Sequence, residues 1–347
     1  MGQDSRLTAI DLFSGAGGLT CGLKQAGFKV LSAVEIAVAP ATTYKVNHKD
    51  SLLIQSDICQ LSPTQIMRDL KLQKGQLTLL AGCPPCQGFS SLRTRNKALS
   101  LDDPRNDLIF EFLKWIEVFY PQVVMLENVP ALAKDNRMLA FCQKLELLGY
   151  ILTPSSLRIE DISHYGVPQR RRRMILIMSR KGAIEVTKSN FKSKTVREVF
   201  KRLKPAGQSG DPLHDYETNR SEKIKQLIRL VPKNGGSRDD LPQEYWLDCH
   251  KRYPKGFKDV YGRMAWDDVA PTITGGCINP SKGRFLHPEE NRAITLREAS
   301  LLQTFPIDYK FPIGLSRDTI ALMIGNALPP EFIKQQALLI KKHVLES

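Results

Sequence analysis

The sequence predicts an α/β fold with a doubly wound sheet, accompanied by a second, smaller domain that is rich in loops. In the first half of the chain, short apolar runs alternate with amphipathic segments. After about Gly182 the composition shifts toward Lys, Pro, Gly and Asn, and helical periodicity returns only near the C-terminus. Alternating strands and helices predict right-handed crossovers and a doubly wound parallel sheet. We therefore predict domains at 1–184 and 185–314, with 315–347 returning to the first.

Six apolar runs are predicted strands because they are short, rich in β-branched residues and nearly continuous. They are 7–13, 29–36, 51–58, 76–82, 121–129 and 173–178. Amphipathic spacing predicts helices at 18–26, 108–119, 293–305 and 329–345. Loops such as KPAGQSGDP and PKNGGSRDDLP occupy the intervening basic region.

Composition favours a nucleic-acid partner. Fifty Lys and Arg residues stand against 36 Asp and Glu, a formal charge of +14. Such an excess attracts polyanions, with an anionic membrane surface as the second choice. No apolar run approaches the roughly 20 residues of a membrane span, and the first residues lack the apolar core of a signal peptide. We expect a soluble intracellular protein whose seven scattered cysteines are reduced thiols.

Glycines and carboxylates fall at the carboxyl ends of the predicted strands, where doubly wound sheets bind ligands. The first strand runs into FSGAGG, residues 13–18, and the next two end near Glu35 and Asp57. An acid at the second strand suits a ribose diol, and another one strand over suits an adenine amine. We predict a nucleoside-containing cofactor. A dinucleotide cofactor is disfavoured because Thr20 stands where the dinucleotide-binding motif G-x-G-x-x-G has its third glycine.

Cys83 and Cys86 in GCPPCQGFSS have a spacing that suits zinc, a redox disulfide or one nucleophile beside a second thiol. Zinc is disfavoured because no other cysteines or histidines are paired at ligand spacing, so we expect no metal. A redox pair remains a competitor. We favour Cys86 as nucleophile, aimed by Pro84 and Pro85, with Cys83 a small buried apolar side chain.

An acid and a run of arginines could act on the same substrate as the nucleophile. Glu127 directly follows the apolar residues of a predicted strand. Residues 170–173 are all arginine and lead into another strand, so Arg171 and Arg173 share one face and the other two the opposite face. The more ordinary interpretation of such a run is a solvated or phosphate-binding patch.

The chain resembles the cytosine-C5 DNA methyltransferase family over nearly its whole length except about 185–270. The matching motifs are DLFSGAGG, Glu35, SDI with Asp57, GCPPCQGFS, ENV, QRRRR, REASLLQTFP and GNALPP, in the family's order. The resemblance implies a doubly wound mixed sheet, the Rossmann-like methyltransferase fold, with a smaller loop-rich target-recognition domain. It also implies S-adenosylmethionine as cofactor and S-adenosylhomocysteine as product.

The resemblance also implies residue roles. Cys86 would be the nucleophile, Glu127 the partner of cytosine N3, and Arg171 and Arg173 the arginines of the Gln-x-Arg-x-Arg motif. The implied cofactor residues are Phe13, Gly15, Ala16, Gly17, Gly18, Glu35, Ile36, Asp57, Ile58, Pro84, Leu108, Asn326 and Ala327. The implied DNA contacts are Gln87, Ser90, Arg93, Arg95 and Arg105 in the loop after the nucleophile, with Thr274, Gly275 and Gly276 in the target-recognition region.

These roles describe a monomeric DNA (cytosine-5-)-methyltransferase that flips a cytosine out of duplex DNA and forms a covalent Cys86–C6 adduct. A cognate restriction endonuclease could act on the same site, and the expected location is the cytoplasm with its nucleoid, or the nucleus in a eukaryote. A tRNA cytosine methyltransferase is the main rival function, disfavoured because Ile278 and Asn279 follow Cys277 where such enzymes have Phe and Thr. A non-catalytic DNA-binding relative and a redox protein are two further rivals.

Overall fold

The computed structural model describes residues 7–85, 108–184, 191–254, 256 and 258–346. The chain divides into two compact units. The first comprises Met1–Ile162, Arg172–Asn190 and Leu328–Ser347, and the second comprises Ser163–Arg171 and Phe191–Ala327. Each unit is described by itself below, and the domain boundaries at 184 and 314 stay predictions.

The first unit is built on one seven-stranded sheet. Its strands are β1 Thr8–Leu12, β2 Lys29–Val34, β3 Leu52–Ile54, β4 Leu79–Gly82, β5 Val123–Asn128, β6 Leu157–Asp161 and β7 Arg172–Ser179. Their order is β3-β2-β1-β4-β5-β7-β6. The first five strands run parallel, whereas β7 is antiparallel to both β5 and β6. This arrangement confirms the predicted doubly wound mixed sheet.

Helices follow most of these strands. In the first unit they are α1 Gly18–Gln25, α2 Val38–Asn47, α3 Pro63–Asp69, α4 Leu108–Phe119, α5 Asn136–Leu147 and, after the second unit, α11 Pro330–Glu346. α1 and α11 pack so closely that a Cβ at Gly22 would lie 2.5 Å from the carbonyl oxygen of Pro330. The backbone contact explains why this helix position has no side chain.

The apolar core of the first unit is centred on β4 and β5, which are adjacent strands in the middle of the sheet. Every residue of these two strands is buried. Phe112, Trp115 and Phe119 of α4 lie in the same apolar cluster as Leu80 and Leu126. The continuous apolar runs at 76–82 and 121–129 therefore predicted fully buried strands correctly.

Two differences from the predicted elements are informative. β3 spans only Leu52–Ile54 of the predicted 51–58, because Asp57 begins a separate 3₁₀ turn at Ile58–Gln60. β6, LRIED, was not predicted because all five of its residues are half-buried at the edge of the sheet. Its charged sequence carries no apolar alternation that a periodicity argument could detect.

The second unit contributes no strand to this sheet among its described residues. Its helices are α6 Val196–Phe200, α7 Glu222–Leu230, α8 Asp248–Arg252, α9 Leu296–Leu302 and α10 Arg317–Asn326. Turns and isolated bridges connect them, as the loop-rich composition predicted. Throughout the part of the chain that the structure describes, no helix is both long and apolar enough to cross a membrane.

Candidate active site

The turn after β1 has the backbone of a ligand-binding loop. Phe13, Gly15 and Gly17 have φ angles of 62°, 54° and 92°. Positive φ is ordinary for glycine but uncommon for a bulky residue such as Phe13. A Cβ built on Gly15 would meet no described atom within 4 Å. The loop thus leaves open space over Gly15, and a strained phenylalanine stands beside it.

Glu35 at the end of β2 is tied to this loop. Its Oε2 accepts a hydrogen bond from the Gly15 backbone N–H at 2.8 Å, and its Oε1 accepts one from Ala37 N–H at 2.7 Å. An ionised carboxylate has about four acceptor positions, so each oxygen retains a lone pair for a further donor. The half-buried Glu35 can therefore bind hydroxyl groups while its orientation is held by backbone.

Asp57 lies beyond the end of the adjacent strand. β2 and β3 are paired, with Val34 opposite Ile54. Asp57 Oδ1 accepts a hydrogen bond from Cys59 N–H at 2.9 Å and caps the 3₁₀ turn that follows. The Cys59 thiol is also hydrogen-bonded to the Asp57 carboxyl group, which has about four acceptor positions and can therefore receive a further donor. The order of strands thus presents two half-buried acids at the same edge of the sheet, as the sequence predicted.

Asp11 in β1 is hydrogen-bonded to Thr20 at the start of α1, directly after the loop. This role of Asp11 was not predicted. Its Oδ2 accepts hydrogen bonds from Thr20 N–H at 3.1 Å and from the Thr20 hydroxyl at 2.6 Å. Burial raises the pKa of Asp11 from 3.8 to about 7, even though both Thr20 hydrogen bonds act to lower it. An acid inside the motif DLFSGAGG was visible in the sequence, but its complete burial was not.

Glu127, the candidate acid, is buried at the carboxyl end of β5. Arg173 Nε lies 2.8 Å from Glu127 Oε1. The arginine comes from β7, where Ile175 is opposite Glu127 and Arg173 is opposite Glu160 of β6. The structure therefore brings together two of the four predicted catalytic side chains.

Cys83 is more than the small apolar side chain expected for it. Its thiol is hydrogen-bonded to the Glu127 carboxyl group, and desolvation followed by the Glu127 charge raises the pKa of Cys83 well above its usual range. Gly82 of β4 is opposite Leu126 of β5, which sets Cys83 opposite Glu127. The proximity of Cys83 to Glu127 was not predicted, because a cross-strand neighbour cannot be recognised from local sequence.

Asn128 fixes the backbone that leads toward Cys86. Its Nδ2 donates to the carbonyl oxygen of Pro84 at 2.9 Å in a buried hydrogen bond. The Cys83 backbone N–H donates to Leu12 on the other side, at 3.2 Å. Both β1 and β5 thus hold this segment. Asn128 could have been suspected from the ENV motif, where it directly follows the candidate acid.

The arginine run alternates in burial as predicted. Arg170 and Arg172 are exposed, whereas Arg171 is buried and Arg173 is half-buried. Arg171 belongs to the second unit, where its Nη1 donates to the carbonyl oxygens of Ile273 at 2.8 Å and Gly325 at 2.9 Å. Both acceptors are backbone atoms, so these contacts of Arg171 are those of a residue that holds loops in position.

The remaining predicted residues fall into three groups. Thr274, Gly275, Gly276, Asn326 and Ala327 lie in the second unit, with Thr274 and Asn326 exposed and the other three half-buried. In the first unit, Ala16, Gly18, Ile58 and Pro84 are buried, Leu108 is half-buried, and Ile36 is 63% exposed. Outside the described residues lie Cys86, Gln87, Ser90, Arg93, Arg95 and Arg105.

Comparisons with known proteins agree with this geometry. A family model described as "C-5 cytosine-specific DNA methylase" matches residues 7–342. Type II methylase M.HgiDII of Herpetosiphon aurantiacus is 36% identical over 335 residues, covering 92% of this chain and 91% of that protein. Type II methyltransferase M1.HphI of Haemophilus parahaemolyticus is 34% identical, covering 93% and 84%. The structure of the Entamoeba histolytica methyltransferase EhMeth has a TM-score of 0.66 at 16% identity, covering 98% and 99%, which supports the fold alone.

Proposed function

Because the chain belongs to the C-5 cytosine-specific DNA methylase family, we propose that it methylates C5 of a flipped-out cytosine within a specific duplex DNA sequence. The observation that carries this proposal is the buried Glu127–Arg173 pair beside the Cys83–Pro84 segment. The pair offers a carboxyl group and a guanidinium to the N3 and O2 edge of a cytosine ring, where the family uses an acid and a cation.

The family and its fold imply S-adenosylmethionine as the methyl donor. The residues after β1 and β2 fit such a group: open space lies over Gly15, and the backbone-anchored Glu35 keeps free lone pairs for a ribose diol. Phe13 would contribute an aromatic face for adenine, and Asp57 an acceptor for its amine. When bound, the cofactor supplies an electrophilic methyl group. The assignment of Asn326 and Ala327 to the same cofactor stays a prediction.

The chain's own residues would activate the base. The Cys86 thiolate would form a bond to C6 of cytosine, and the C5–C6 π electrons would move into the ring. Glu127, in its protonated form, would donate a hydrogen bond to N3, and Arg173 would steady the developing charge at O2. C5 then becomes nucleophilic enough to accept the methyl group. Transfer of the C5 proton to a solvent base re-forms the C5–C6 double bond, breaks the C6–S bond to expel the Cys86 thiolate, and releases 5-methylcytosine.

Reaching C5 requires that the base leave the duplex, at a cost of a few kcal/mol. The net charge of +14 supports binding to the DNA backbone that offsets this cost. The loop Thr274–Gly276 would read bases, and Gln87, Ser90, Arg93, Arg95 and Arg105, which lie outside the described residues, would contact DNA. Arg171 would hold this loop through its contacts with Ile273 and Gly325, and its catalytic role stays a prediction.

Further features are proposed on the same basis. Two relatives bear the name Type II, which supports the proposal that a restriction endonuclease recognises the same DNA site. We expect catalysis without a metal, by a monomer, in the cytoplasm with access to the nucleoid. Size-exclusion chromatography of the free and DNA-bound protein tests the monomer.

Bisulfite sequencing tests the proposed reaction. DNA from a methylation-free bacterial host expressing the wild type should contain protected cytosines at one short motif, and Cys86→Ala should abolish the protection. A methyl-transfer assay on tRNA, run with the same two proteins, distinguishes an RNA substrate. Protection that persists in Cys86→Ala would contradict the proposed mechanism, and transfer to tRNA alone would contradict the DNA substrate.

A further inference from the structure

Two predicted functional segments of the second unit are joined by a buried polar cluster, here called the glutamine junction and formed by Gln169, Arg171 and Gln303. Both glutamines are completely buried. Gln169 Nε2 donates to Gln303 Oε1 at 2.6 Å and to the Leu302 carbonyl oxygen at 3.1 Å. The glutamine junction therefore connects the chain before β7 to the end of α9.

The same side chains form hydrogen bonds at both functional segments, the predicted DNA loop Thr274–Gly276 and the predicted cofactor residues Asn326 and Ala327. On one side, Gln169 Oε1 accepts from Ile273 N–H at 3.0 Å, directly before the predicted DNA loop Thr274–Gly276. On the other, Gln303 Nε2 donates to the carbonyl oxygens of Ile324 and, at 3.4 Å, Ala327, which flank the predicted cofactor residue Asn326. Arg171 spans the two, since it donates to both Ile273 and Gly325.

The backbones of the two segments are in direct contact at Gly325 and Gly275. A Cβ at Gly325 would lie 2.1 Å from the Thr274 carbonyl carbon and 2.2 Å from the Gly275 nitrogen. A Cβ at Gly275 would lie 2.6 Å from Cδ1 of Leu322, a residue of α10. No side chain can enter either contact without moving its neighbours. A displacement of one segment must consequently displace the other.

We propose that the glutamine junction, together with the backbone contacts of Gly275 and Gly325, couples cofactor binding to DNA binding, so that a ligand ordering Asn326–Ala327 pre-positions Thr274–Gly276, and the reverse. This inference rests on the proposed function, which assigns the two segments to cofactor and DNA. Coupling between two binding sites is reciprocal, so each ligand must tighten the other by the same factor. Gln169, Arg171 and Gln303 are positioning residues in this scheme, because their hydrogen bonds described above join them to backbone and to one another.

The test uses the full-length protein, sinefungin as an unreactive cofactor analogue, and the duplex identified by bisulfite sequencing. The dissociation constant of the duplex is measured with and without sinefungin, and that of sinefungin with and without the duplex. Both ratios should agree, at about tenfold in the wild type. A wild-type ratio of one would overturn the proposal.

Two variants test whether the coupling passes through these contacts. Gly325→Ala forces the segments apart, and Leu322→Ala, at a half-exposed side chain that can be shortened without unfolding the chain, loosens the packing on Gly275. Both should bring the ratio to within about twofold of one. Gly314→Ala is the matched control, because a Cβ there meets no described atom within 4 Å, and it should keep the wild-type ratio.

The outcomes separate this proposal from the function on which it rests. Unchanged ratios in Leu322→Ala and Gly325→Ala would overturn the coupling while methylation by the wild type still supports the proposed function. Reduced affinities for both ligands with an unchanged ratio would show a purely structural role and also overturn it. A wild type that neither binds sinefungin nor protects any cytosine would overturn both proposals together.

Discussion

The two units of this protein fill their interiors with different chemistry. In the first unit, β4 and β5 are buried throughout and pack in a large apolar cluster with Phe112, Trp115 and Phe119. In the second unit, a smaller apolar cluster around Trp246 and Leu286 is accompanied by two of the largest fully buried side chains in the described residues, Arg238 and Arg263.

Arg263 shows how the second unit is organised. Its guanidinium donates to the carbonyl oxygens of Val231, Ile228, His287 and Glu290 and to Oδ1 of Asn291. These acceptors come from separated stretches of chain that lack a sheet to satisfy them. A loop-rich unit has many carbonyls without ladder partners, and a buried arginine can satisfy several at once. In the first unit most carbonyls of the sheet are satisfied by ladder partners, and Arg180, which donates to the carbonyl oxygens of Pro121 and Gly75, is half-buried.

Replacing Arg263 should have the largest effect. Arg263→Met leaves several buried carbonyls without donors, and we expect it to lower the free energy of unfolding by about 4–5 kcal/mol. Arg229→Met, at an exposed position of the same unit, should change it by less than about 0.5 kcal/mol. Urea denaturation of both variants provides the measurement. Equal urea midpoints for the two variants would contradict the proposed difference between the units, because the buried Arg263 would then contribute no more to stability than the exposed Arg229.

Asp11 tests the reverse case, a buried ionisable acid within the sheet-based unit. Its folded-state pKa of about 7 exceeds the ordinary 3.8, so its contribution to stability is full below pH 3.8 and is lost as the pH rises through 7. The loss should be on the order of 4 kcal/mol, and it should be absent in Asp11→Asn. Urea midpoints between pH 4 and 8 measure it. Parallel wild-type and variant profiles would mean that Asp11 ionises as freely as in the unfolded chain.

Glu127 should matter for rate more than for stability. Glu127→Gln keeps the shape of the side chain but removes the acidic proton, so we expect single-turnover methyl transfer to slow by about 10²–10³-fold. Sinefungin affinity should be unchanged. Glu111→Gln, in a surface pair with Lys114, is the control and should retain the wild-type rate. A wild-type rate in Glu127→Gln would remove the acid from the mechanism.

Glu35 should have the smallest effect of the four. Glu35→Gln loses the charge and one of the two oxygens that accept from Gly15 and Ala37. We expect sinefungin to bind about tenfold more weakly, measured by calorimetry. Glu117→Gln on the exposed face of α4 serves as the matched control. If both variants bind equally well, the acid at the end of β2 does not contact the cofactor.

Much of the first unit was predictable because its information is local. Apolar runs predicted β1, β2, β4, β5 and β7, and glycines with acids after them predicted the ligand-binding edge. The charged edge strand β6 was not predicted and β3 was predicted too long, because an edge strand is paired on one side only and needs no apolar pattern. The proximity of Cys83 to Glu127 was not predicted for a similar reason, since Glu127 lies on another strand.

The sequence by itself determined the family, the order of motifs, and the chemistry that the candidate residues can perform, because these depend on residue types at short spacings. Tertiary structure decided which of those residues meet. Gln169 and Gln303 are 134 positions apart, and Arg171 and Gly325 are 154 apart, yet each pair shares a buried hydrogen bond. No local periodicity encodes such contacts, since buried polar groups choose partners by the need to be satisfied once the chain is folded.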